Sequence, residues 1–128
     1  MTVKNPDLLP LFGELRALLE PYAAHFTVRR DEPDYYDLWS ERDVVIDGRE
    51  RHEIFFAGLI IQKSYVGFYY MPIYADPQAA ADFFGPELLA TLKGKSCFYI
   101  RQLTPEIRTQ MKQALAKGYE LYEERGWT

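Results

Sequence analysis

Apolar positions at the start of the chain fall three and four apart, at Leu8, Leu11, Phe12, Leu15, Leu18 and Leu19. That spacing predicts an amphipathic helix over about Asp7–Glu20, stopped by Pro21. The pattern then shortens to strands. FTVRRD (26–31) and YYDLWS (35–40) are separated by the breaker EPD, and DVVID (43–47) is followed by Gly48 and a charged turn, RERH. The two longest predicted strands are EIFFAGLIIQ (53–62) and YVGFYYMPIY (65–74). Next, 75–94 reads as two short helical pieces around Gly85–Pro86, with Gly94 as a helix C-cap. SCFYIRQL (96–103) returns as a strand. The last helix opens with Thr104 as N-cap and Pro105 at its first position, and Gly126 closes it. Its inner side is Ile107, Met111, Ala114, Leu115, Gly118, Leu121 and Tyr122. Runs of strands between two helices predict an α+β fold: a single antiparallel sheet of five to six strands, with the N- and C-terminal helices on one face.

The hairpin at 53–74 carries more information. A turn centred between Lys63 and Ser64 pairs residues whose numbers sum to 127. One face then carries Phe55, Ala57, Leu59, Ile61, Val66, Phe68 and Tyr70, an apolar surface suited to lie under the helices. The other carries Ile54, Phe56, Gly58, Ile60 and Gln62 opposite Ile73, Met71, Tyr69, Gly67 and Tyr65. Gly58 opposite Tyr69, and Gly67 opposite Ile60, each leave room for a large neighbour to lie across the sheet. Such an apolar second face calls for a cover. The 75–94 insertion is the expected one, with Phe83 or Phe84 meeting Phe56, Ile60, Tyr69 or Met71; a second subunit is the other.

Composition narrows the setting. With 128 residues the chain is long enough for one core, so 1–128 is read as a single domain. The formal charge of −4 argues against a nucleic-acid partner, which calls for a basic balance or stripe. The lone Cys97 excludes an intrachain disulfide framework. MTVKNPDLLPLF lacks the apolar run of a signal peptide, and no stretch of about 18 apolar residues occurs. The expectation is a cytoplasmic protein with no membrane partner.

Chemical motifs are sparse. Gly94-Lys95-Ser96 is the tail of a phosphate-binding loop, but Leu89 stands where the motif needs glycine and a strand follows where it needs a helix. Cys97 has no local signature with His25 or His52 and is expected to be buried and unreactive. HExxH and CxxC are absent, so no cofactor or zinc site is expected. The run 31–43 gathers Asp31, Glu32, Asp34, Asp37, Glu41 and Asp43 without the spacing of a calcium loop. No nucleophile–base pair can be assembled, which favours a non-enzymatic binding domain, as a monomer or homodimer. Its candidate site is Lys63, Tyr65, Tyr69, Lys95 and Ser96: amphipathic walls with lysines gathered at one end of the sheet, for a small anionic ligand or a protein partner.

FFAGLIIQKSYVGFYYMPIY (55–74), PELLATLKGKSCFYIR (86–101) and KGYELYEERGW (117–127) together resemble the bacterial family called domain of unknown function 1801, or YdhG-like. The resemblance covers the chain from about Phe55 to Trp127 and more loosely the first helix. It implies helices on one face of an antiparallel sheet. Some such proteins are described as frataxin-like iron chaperones, so it also implies an alternative role in intracellular iron binding. The carboxylates of 31–43 would serve it; the first helix offers only Asp7, Glu14 and Glu20, interrupted by Arg16.

Overall fold

Thr104 Oγ1 accepts a hydrogen bond from Ile107 N at 3.2 Å, and Pro105 follows with no N–H to satisfy, so the C-terminal helix begins where its capping residues place it. This computed structural model describes residues 3–46 and 48–128. Its elements are α1 (Leu9–Leu19), β1 (Asp31–Glu32), β2 (Tyr35–Ser40), β3 (Val44–Ile46), β4 (Arg49–Arg51), β5 (Ile54–Ile61) and β6 (Val66–Tyr70). They continue with α2 (Pro72–Ala75), α3 (Pro77–Ala80), α4 (Pro86–Leu89), β7 (Leu92–Lys93), β8 (Cys97–Ile100) and α5 (Pro105–Glu124). Among the described residues, six strands form one antiparallel sheet in the order β1-β2-β5-β6-β8-β7. β3 and β4 form a separate two-stranded ribbon. The fold is therefore α+β, with that ribbon added to the expected single sheet.

Local chemistry explains where strand boundaries depart from expectation. FTVRRD gives the sheet only Asp31 and a single bridge from Thr27 to Trp39, because the Asp37 carboxylate takes the N–H groups of Arg29 and Arg30 out of any ladder. RER forms β4 instead of a turn: Gly48 holds a φ of 78° beside it, and the ribbon's charged side chains all reach solvent. Asp47, the end of the expected 43–47 strand, lies outside the described residues. Gly94 is not a helix cap. Leu92 and Lys93 pair with Phe98 and Cys97, and Gly94 makes the intervening turn at φ 72°.

The β5–β6 register follows the expected pairing: Gly58 faces Tyr69, Leu59 faces Phe68 and Ile60 faces Gly67. On its other edge β5 carries a bulge. Leu38 pairs with Ala57 but Trp39 pairs with Phe55, so Phe55 and Phe56 together oppose one residue. The extra residue exchanges the two rings expected on each face. Phe56 is fully buried on the helix side, its ring meeting those of Tyr22, Phe26, Tyr70 and Tyr122. Phe55 turns to the opposite face and meets Trp39. The backbone at the bulge is satisfied from outside the ladder: Tyr122 Oη donates to Phe55 O at 2.6 Å, and Met71 N to Phe56 O at 2.9 Å.

Leu15 and Leu19 of α1, and Met111, Ala114, Leu115 and Tyr122 of α5, complete the core over Leu59, Ile61, Val66 and Phe68. Gly118 lets α5 approach β6, since a Cβ there would overlap the Tyr70 hydroxyl, which donates to Ala114 O. Among the described residues of the insertion, none lines the crevice on the second sheet face. Phe84 packs at 5.5 Å from Tyr70 and 5.1 Å from Phe98, and Leu88 is buried, so 83–89 joins the helix-side core. Pro72 ends the strand pattern and turns the chain to that side.

Candidate functional site

Alternation along the central strands sends Tyr35, Asp37 and Trp39, then Phe55, Gly58 and Ile60, then Gly67 and Tyr69, then Cys97 and Tyr99 to the face away from the helices. The two glycines seat large rings flat against the backbone. A Cβ on Gly58 would stand 3.0 Å from Phe55 Cζ, and one on Gly67 3.0 Å from Tyr69 Cε2. Trp39 meets Phe55 edge-on with ring centres 5.2 Å apart. Its indole N–H donates to Asp37 Oδ2 at 3.1 Å, while Asp37 Oδ1 accepts from Arg29 N and Arg30 N. Asp37 is only 3% exposed, so this carboxylate is a fixed anchor for the Trp39 ring. The Arg29 guanidinium lies 4.3 Å from the Trp39 ring centre and that of Arg30 3.9 Å from Tyr35.

Between these rings runs a crevice of about 450 Å³, lined by Tyr35, Trp39, Phe55, Gly58, Ile60, Tyr69, Tyr70, Met71 and Ser96. A second hollow of about 610 Å³ shares Trp39, Phe55 and Met71 and is bounded on its far side by Ile46, Arg51, Glu53, Tyr74 and Trp127. Volumes of this size and an apolar lining suit small molecules.

The five candidate residues do not form one cluster. Tyr69 and Ser96 line the crevice, and exposed Lys95 stands beside Ser96 in the β7–β8 turn. Lys63 sits in the β5–β6 turn, where its carbonyl accepts from Asn5 Nδ2 at 2.8 Å. The length of β6 separates those turns, roughly 17 Å at the usual rise per residue. The lysines therefore do not gather at one end; Lys93, paired with Cys97, is the one that shares the Ser96 end with Lys95. Tyr65 belongs to the Lys63 end, stacked on Tyr99 at 3.8 Å and 8°. Its hydroxyl is pushed up to about 12, chiefly by its hydrogen bond with Tyr99.

Trp39, Phe55 and Tyr35 are the site residues that sequence reasoning missed. For β2 the signal was present, since Tyr35, Asp37 and Trp39 alternate with Tyr36 and Leu38. For Phe55 it was not, because only the bulge brings it to this face. Cys97 is half-buried, not fully buried, because the strand alternation turns it to the face away from the helices. Partial burial raises its thiol above the ordinary value. Beside it the Tyr69 hydroxyl is raised too, first by burial and then by Cys97.

Three carboxylates of 31–43, those of Asp31, Glu32 and Glu41, are paired with arginines. Arg16 pairs with Asp31, Arg30 with Glu32 at 2.6 Å, and Arg29 with Glu41 at 3.2 Å and with Glu53. Hydrogen bonds to these arginines hold Asp31, Glu32 and Glu53 below the usual carboxylate range. Among the described residues no three His, Cys, Asp or Glu side chains converge as a metal set, and no helix is long and apolar enough to cross a membrane. Compared with protein-family models, curated proteins and solved structures, the chain matches none.

Proposed function

We propose that the protein is a YdhG-like, non-enzymatic cytoplasmic binding domain whose ligand is a small planar anion held on the open sheet face. One observation carries this reading: the crevice of about 450 Å³ walled by Trp39, Phe55, Ile60 and Tyr69 on a face that no helix covers. Flat rings seated over Gly58 and Gly67 offer a stacking floor for an aromatic body. Lys93 and Lys95, at the Ser96 end, supply the positive charge for an anionic group. The Trp39 ring is held in place before any ligand arrives by its bond to Asp37, which lowers the ordering cost of binding.

Naphthalene-2-sulfonate, a planar aromatic anion, is a suitable probe, followed by amide NMR shifts. Saturable changes are expected at Trp39, Phe55, Gly58, Tyr69 and Ser96, weakened at least about tenfold in Trp39→Ala and about threefold in Lys93→Gln/Lys95→Gln. Shifts confined to the helices, or equal affinity in Trp39→Ala, would overturn the assignment.

A further inference from the structure

On the opposite side of the molecule the C-terminal helix carries an unspent positive charge. Of the described lysines and arginines, only Arg16 and Arg108 are half-buried; the others are exposed. Arg16 is matched by Asp31 and Glu20. The Arg108 guanidinium has no hydrogen bond or ion pair to any described residue. Its nitrogens stay open to water, since no buried side-chain nitrogen or oxygen among the described residues lacks a partner, so its donors are available to a ligand in the groove. Lys112 lies one turn further along α5 on the same side, so the two like charges also repel along the helix. Both border a groove of about 510 Å³ whose remaining wall is Ala17, Leu18, Pro21 and Tyr22.

We infer that this groove between α1 and α5 is a second ligand site, for an amphipathic anion. Its carboxylate or phosphate group lies between Arg108 and Lys112, and its apolar body lies along Leu18 and Pro21. The planar Arg108 fork offers two parallel donors to either oxyanion, and Lys112 adds a point charge. The direction of the ligand follows from the acid nearby. Glu120, whose charge bears on Tyr22, stands eight residues beyond Lys112, about 12 Å along the helix. The anionic group therefore sits at the Arg108 end and the apolar body points toward Tyr22. This site is independent of the sheet-face crevice, since no residue is shared.

Calorimetric titration of the whole chain with octanoate and with octyl phosphate, each below its micellar concentration, tests the site. Both are expected to bind saturably at one site, whereas acetate and octanol each lose about tenfold or more, lacking the body or the charge. Arg108→Gln should weaken octanoate about tenfold, the equivalent of one charge-assisted hydrogen bond, and Arg108→Gln/Lys112→Gln further still. Trp39→Ala should leave it unchanged, which separates this site from the open face. Circular dichroism of each variant confirms that it is folded. Octanol binding as tightly as octanoate, or a folded Arg108→Gln variant within about twofold of the parent, overturns the proposal.

Discussion

Tyr65 and Tyr99 show how a pair of neighbouring strands can tune a single side chain. Their rings stack at 3.8 Å, and the hydrogen bond between the hydroxyls favours the neutral form of Tyr65. Its folded value of about 12 lies above the ordinary 10.0. The stability this confers is fully present below the unfolded value and is lost as the pH rises through the folded one. In Tyr99→Phe the ring-carbon NMR titration of Tyr65 should fall back toward 10.0. An unchanged midpoint would show that the Tyr99 hydroxyl is not what raises it. The pair was legible in part. Tyr65 was expected on this face and is there, but Tyr99 became its partner only through the β6–β8 register, which joins segments separated by the whole insertion.

At the scale of elements, α5 and the β5–β6 hairpin were readable because their rules are local: caps and periodicity for one, turn position for the other. The bulge was not. Phe55 and Phe56 are the same residue type, so composition cannot say which faces the core, and one extra residue decides it. This makes a sharp comparison available. Phe56→Ala should cost about 3–5 kcal/mol, as the loss of a fully buried ring. Phe55→Ala, on the half-buried open face, should cost about 1 kcal/mol. Urea denaturation of both variants checks it, and the reverse order would place the bulge elsewhere. The β3–β4 ribbon was missed for a related reason. Arg49-Glu50-Arg51 has no apolar alternation, because neither face of that strand meets a core. The side taken by the insertion was also hidden, since Pro72 redirects a path that the apolar pattern alone would have continued as strand.

Over the whole molecule the charges are unevenly divided. Asp31, Glu32, Glu41 and Glu53 pair with arginines along the β1–β2 side, whereas Arg108 and Lys112 across the helices have no counter-ion among the described residues. The paired carboxylates Asp31, Glu32 and Glu53 have folded values below the ordinary 3.8, 4.5 and 4.5. Their contribution is present above those values and is lost as the pH falls through the folded ones. Urea midpoints should therefore stay level near neutrality and decline below about pH 4.5, less steeply in Arg29→Gln/Arg30→Gln. A parallel decline in that variant would assign acid sensitivity to other groups. These pairs are solvent-exposed, so their effect at neutral pH is modest and salt-sensitive.

The two outermost strands of the sheet, β1 and β7, are only two residues long. Open hydrogen-bonding groups on a sheet's border are what templates endless polymers, one chain adding to the next. Here that border is almost closed on both sides, while the apolar surface lies flat between them. Contacts between copies are therefore steered toward face-to-face pairing, which uses up the sticky surface and stops. When the protein is concentrated or partly warmed, light scattering should therefore level off at finite clusters, and fibres that bind thioflavin T would refute this.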